Sequence, residues 1–75
     1  MIIIYGKDNC PYCDMAKGLA ERKGLEHTYL KLGKDYDQLD LFQMFPTART
    51  YPQIIFNDEK IGGYTEFEKL IQENN

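Results

Sequence analysis

Two cysteines separated by two residues, Cys10-Pro11-Tyr12-Cys13, are the side chains of this sequence best suited to chemistry. A bond between them would close a loop of about four residues and remove little entropy from the unfolded chain. The pair therefore reads as a reactive site and not as a staple. A Cys-x-x-Cys that follows a strand and opens a helix is a redox arrangement. Unpaired N–H groups and the helix dipole favour negative charge at that end, so a thiolate there is stabilised. Lys7, three residues upstream, adds a positive charge. Cys13, one turn into the helix, is expected to be the more buried partner with the higher pKa.

A lowered thiol pKa serves departure more than attack. Moving a thiol from about 8.5 to about 5 raises its thiolate fraction at neutral pH roughly 30-fold. With a Brønsted slope near 0.45, the same shift removes about 1.6 log units of intrinsic nucleophilicity, which nearly cancels the gain. The clear advantage comes when the low-pKa sulfur must leave a mixed disulfide. Asp14 suits a helix N-terminus electrostatically but opposes a low pKa. The rival use of Cys-x-x-Cys is half of a zinc site, which normally needs four ligands. Here only His27 and carboxylates remain to complete a set, and His27 reads as a strand-surface residue, so no metal is expected.

The elements that must position the pair follow from the surrounding pattern. Seventy-five residues, 43% hydrophobic and 13% aromatic, suit one folded domain over 1–75 and not a disordered tail. A net charge of −3 without a basic block argues against nucleic acid. The opening Met-Ile-Ile-Ile-Tyr is too short to span a bilayer or serve as a signal core, which makes a reducing cytoplasm the expected compartment, where a lone cysteine pair is more often catalytic than structural.

Ile2 to Tyr5 reads as a buried strand and Gly6 to Asn9 as its break. A helix follows with Cys10 at its entry and Pro11 at its first position. Tyr12, Met15, Ala16, Leu19 and Ala20 recur at helical spacing up to Gly24. Leu25 to Leu32 alternates as a second strand, and strand, helix and strand together suggest a parallel pair. Asp35 to Phe45 reads as a helix with Leu39, Phe42 and Phe45 facing inward, stopped by Pro46. Gln53 to Phe56 is a strand, Asn57-Asp58-Glu59 a solvated turn, Lys60-Ile61 a short strand, and Gly62-Gly63 its end. Thr65-Glu66-Phe67-Glu68 fits a capping box that opens a last helix through Gln72, with Phe67, Leu70 and Ile71 on its buried face. The order is βαβαββα.

Four landmarks in this order and spacing resemble the glutaredoxin family over nearly the whole chain: Lys7, Cys10-Pro11-Tyr12-Cys13, Thr50-Tyr51-Pro52-Gln53 and Gly62-Gly63-Tyr64-Thr65-Glu66. The resemblance implies an α/β thioredoxin-like fold, a four-stranded mixed sheet flanked by three helices. It also implies a monomeric glutathione-dependent oxidoreductase with Cys10 as nucleophile and Cys13 as resolving thiol. Its substrates would be glutathionylated or disulfide-bonded proteins, ribonucleotide reductase among them. By the same resemblance the peptide bond before Pro52 is cis, which turns the Tyr51 backbone towards an extended peptide. The γ-glutamyl end of glutathione would meet Gly63, Tyr64, Thr65 and Glu66, where glycines admit close backbone approach and a helix N-terminus offers N–H groups. Lys7, Arg49 and Gln53 would face its glycine carboxylate; Tyr12 would flank the bound sulfur, and Thr50 would also belong to the glutathione site.

Two positions depart from the family pattern: Tyr51 stands where Val is usual, and Glu66 where Asp is usual. Two rival readings keep the chemistry in different classes. A redoxin served by thioredoxin reductase would usually carry Trp before its first cysteine, and this chain has none. A dimeric glutathione-assisted iron–sulfur carrier is disfavoured by Pro11 beside Cys10.

Overall fold

The chain runs β1 (Ile2–Gly6), α1 (Pro11–Arg22), β2 (His27–Lys31), α2 (Gln38–Met44), β3 (Gln53–Phe56), β4 (Glu59–Gly62) and α3 (Tyr64–Glu73), the expected βαβαββα. These elements come from a computed structural model that describes residues 1–73; Asn74 and Asn75, which the expected single domain would include, lie outside the described residues. The strands form one sheet in the order β2-β1-β3-β4, with β1 parallel to β2 and antiparallel to β3, and β3 antiparallel to β4.

Because β1 is an inner strand, alternation sends its side chains to two buried faces. Ile2 and Ile4 join Ala16, Leu19 and Ala20 of α1 and Phe67 and Ile71 of α3 in one core. Ile3 and Tyr5 join Tyr36, Leu41 and Phe45 in the other, on the side of α2. Helices on both faces leave β2 and β4 as edges, and every residue of β2 is only half-buried. The β3–β4 turn places both Asn57 and Asp58 at positive φ, 49° and 71°. That is the conformation a tight two-residue hairpin demands, and short polar side chains accept it.

Three expectations need correction. Leu39 and Phe42 are exposed, at 65% and 43%, and the inward face of α2 is Leu41 with Phe45. The helix also begins at Gln38 and not at Asp35. An Asp35 carboxylate oxygen accepts the Lys31 N–H at 2.9 Å, which holds a turn there. Asp37 then caps α2 reciprocally with Asp40. At α3 the helix starts at Tyr64, so Thr65 is not the cap. Glu66 reaches back to accept the Gly63 N–H at 2.8 Å, shifting the capping interaction two residues upstream. In α1, Tyr12 and Met15 are exposed, and Cys13 shares the buried face with Ala16, Leu19 and Ala20.

The α2 correction is testable by urea denaturation. Leu41→Ala should lose about 2–5 kcal/mol, whereas Leu39→Ala should change stability by less than about 0.5 kcal/mol. Equal losses would contradict the observed face.

Candidate active site

The carboxyl end of β1 carries the chain to the cysteines, and two bonds hold it there. The Gly6 carbonyl accepts the Leu32 N–H at 2.9 Å and the Tyr36 hydroxyl at 2.7 Å. Burial raises the Tyr36 pKa, so the hydroxyl stays a donor. Gly6 has no room for a side chain, since a Cβ would collide with the Tyr29 ring. Three residues then turn the chain. The last, Asn9, has φ 55°, a left-handed conformation that asparagine tolerates better than most residues.

Cys10 follows in extended conformation as the N-cap of α1, with Pro11 in the first helical turn. Its Sγ accepts the Cys13 N–H at 3.2 Å and its carbonyl accepts the Asp14 N–H at 3.2 Å. The sulfur therefore occupies the place of a capping oxygen, facing N–H groups that have no partner inside the helix. Cys10 and Cys13 are joined as a disulfide with Cα atoms 5.2 Å apart. Cys13 is fully buried, while Cys10 keeps 7% exposure.

Tyr12, between the two cysteines in sequence, borders a groove of about 380 Å³ that is also lined by Thr50, Tyr51, Gly63, Tyr64, Thr65 and Glu66. One wall is the turn ending in the cis Tyr51–Pro52 bond; the other is the start of α3. The walls approach closely, because a Cβ on Gly63 would lie 3.3 Å from the Pro52 carbonyl oxygen. The rings of Tyr12 and Tyr64 stand 6.0 Å apart at the mouth. The Tyr64 hydroxyl donates to Glu68 at 3.0 Å. Burial, then this bond and the Glu68 charge, raise its pKa and keep it protonated. The Lys7 ammonium lies 5.0 Å from the Tyr51 ring centroid.

The other residues singled out from sequence sit differently. Gln53 is buried and its Nε2 donates to the Thr50 carbonyl at 2.8 Å, so its amide braces the turn. Together with exposed Arg49, it lines an adjoining cleft of about 560 Å³ that shares Thr50, Gly63 and Glu66 with the groove. His27 is engaged with the Leu25 carbonyl at 2.8 Å. Sequence reasoning passed over Tyr36, although a lone aromatic between Asp35 and Asp37 was a signal that this ring is buried. Asn9 closes the break expected over Gly6 to Asn9. Among the described residues no three His, Cys, Asp or Glu side chains gather as metal ligands.

A cysteine pair that can hold or release two electrons at the entry of a helix, on a thioredoxin-like fold, defines a thiol–disulfide oxidoreductase. The model of the Glutaredoxin family matches residues 2–61. Glutaredoxin 1 of Escherichia coli K12 is 35% identical over 79 residues, covering 96% of this chain and 93% of its own. The solution structure of oxidised E. coli glutaredoxin aligns with a TM-score of 0.80 and 31% identity, over 97% of this chain and 94% of that one. A buckwheat glutaredoxin–glutathione complex shares the fold, with a TM-score of 0.82 at 23% identity over 97% of this chain and 69% of that one. The chain belongs to the glutaredoxin family.

The unequal burial of the two cysteines makes a prediction for the reduced protein. One equivalent of iodoacetamide should label Cys10 and leave Cys13 free, as read by peptide mass spectrometry. Preferential labelling of Cys13 would reverse the assignment of roles.

Proposed function

We propose that the protein is a glutathione-dependent reductant of protein disulfides and of glutathione mixed disulfides, with Cys10 as nucleophile. The observation that carries this reading is the groove between the Tyr51–Pro52 turn and the start of α3. It has the concave form and the volume of a small-molecule site. It offers the backbone of the turn before Pro52 at one wall for pairing with a peptide and helix N–H groups at the other for a carboxylate. Tyr12, two residues from Cys10, lines it, and Lys7, three residues before Cys10, lies against the Tyr51 wall. A tripeptide thiol laid along the groove brings its own sulfur to Cys10.

In the proposed cycle the Cys10 thiolate attacks one sulfur of a substrate disulfide, and the other sulfur leaves as a thiolate. If the mixed disulfide is with a protein, Cys13 attacks Cys10, releases the reduced protein and closes the Cys10–Cys13 bond. A glutathione thiolate then attacks Cys10 and frees Cys13. A second glutathione attacks the bound glutathione sulfur, releasing the Cys10 thiolate and glutathione disulfide. Two glutathiones are oxidised for each disulfide reduced. Where the mixed disulfide is with glutathione itself, the last step alone completes the cycle and Cys13 is not needed.

Placing Cys10 at the cap of α1 serves the last step, the one in which it departs. Glu66 already accepts the Gly63 N–H; its negative charge at the groove end suits the ammonium of a γ-glutamyl group. Arg49 and Lys7 would face the opposite charge. The disulfide of ribonucleotide reductase is one protein substrate of the proposed kind. A reducing cytoplasm is the proposed setting, and among the described residues no helix is long and apolar enough to cross a membrane.

Glutathione-dependent turnover of a small mixed disulfide, coupled to glutathione reductase and NADPH, tests this directly. Cys10→Ser should abolish turnover. Cys13→Ser should retain it while losing most reduction of a protein disulfide. Folded, fully reduced wild type that gives no turnover with glutathione would overturn the proposal.

A further inference from the structure

Tyr51 carries a hydroxyl that is buried with no hydrogen-bond partner among the described residues. Such a group disfavours folding, so the hydroxyl does not account for a tyrosine at this position. The ring does. One side packs into the core of Tyr5, Tyr36, Leu41 and Phe45, which fixes its orientation. Tyr51 also lines the groove, and the Lys7 ammonium sits 5.0 Å from its ring centroid, within the range of a cation–π contact. Lys7 is exposed, and a long exposed lysine loses several rotamers when it engages a ligand. Holding the ammonium beforehand removes part of that loss.

We infer that Tyr51 is a positioning residue, whose ring holds the Lys7 ammonium at the groove where it meets the glycine carboxylate of glutathione. The inference rests on the glutathione reading above and adds a determinant of selectivity to it. A ring face is needed for this, and the Val usual in the family at this position offers none. The contact should favour thiols that carry a carboxylate at the glycine end and should leave the sulfur chemistry of Cys10 unchanged.

The test compares reduction of the oxidised protein by glutathione and by its glycine ethyl ester, which lacks that carboxylate, using quenched alkylation and mass spectrometry. Wild type should react faster with glutathione than with the ester. Tyr51→Leu should lower the glutathione rate about two- to fivefold relative to the ester rate, the contribution of a solvent-accessible cation–π contact. Tyr51→Phe, which keeps the ring and removes the orphaned hydroxyl, should retain the wild-type preference. The inference is overturned if Tyr51→Leu keeps the preference, if it slows both thiols alike, or if Tyr51→Phe loses the preference as leucine does. Wild type that is reduced by glutathione but indifferent to the glycine carboxylate overturns this inference alone; wild type that glutathione does not reduce overturns the glutathione reading as well. Should Tyr51→Leu not fold, the NMR shifts of the Lys7 ε-methylene protons decide. Upfield ring-current shifts in wild type and in Tyr51→Phe support the contact, and unshifted protons in wild type overturn it.

Discussion

The sulfur of Cys10 caps a helix, and the rest of the architecture serves to put it there. An N-cap must accept N–H groups that the helix itself cannot satisfy. Serine, threonine, asparagine or aspartate usually does so with oxygen. In this protein sulfur accepts the Cys13 N–H, so the same donors that need a cap are available to stabilise a thiolate. Cys10 is thus set apart from Cys13, three residues on. Cys10 accepts an N–H at the helix end, whereas Cys13 lies fully buried on the face that packs into the core.

That arrangement holds only if β1 delivers the chain at the right height. Its inner position in the sheet, with two buried faces, fixes the strand. The Tyr36 and Leu32 bonds to the Gly6 carbonyl fix its end. The second core does further work beyond stability. Tyr5 and Tyr36 meet edge to face at 5.2 Å, and Tyr51 packs against the same cluster. One apolar assembly therefore braces both the strand that leads to Cys10 and the turn that walls the groove. On the opposite side, Glu66 ties Gly63 to α3 and shapes the other wall.

Much of this was legible in the sequence because local chemistry and tertiary need coincide. Pro11 after Cys10 admits one plausible helix start, and β-branched Ile2–Ile4 admits one plausible strand. The turn at Asn57-Asp58 follows from residues that tolerate positive φ. The failures occur where local pattern permits two answers. In a helix of seven residues, the sets Leu39/Phe42 and Leu41/Phe45 both satisfy helical spacing. Only the position of the sheet decides between them. At α3, Thr65-x-x-Glu68 and Gly63-x-x-Glu66 are overlapping cap patterns, and the exit of β4 through Gly62 at φ 108° selects the second. Tyr36 was hidden because its role is a bond to a carbonyl thirty residues away, which no local pattern encodes.

The central claim is that the N-terminus of α1 stabilises the Cys10 thiolate. Its most direct test is a pH titration of thiolate absorbance near 240 nm in the reduced protein and in Cys13→Ser, where Cys10 titrates alone. The Cys10 transition should lie well below the ordinary thiol value of about 8.5, in the range of roughly 3.5–7.5 seen for cysteines at helix N-termini. A Cys10 thiol that ionises only at about 8.5 or above would show that the helix end contributes no such stabilisation, and would contradict the account at its base.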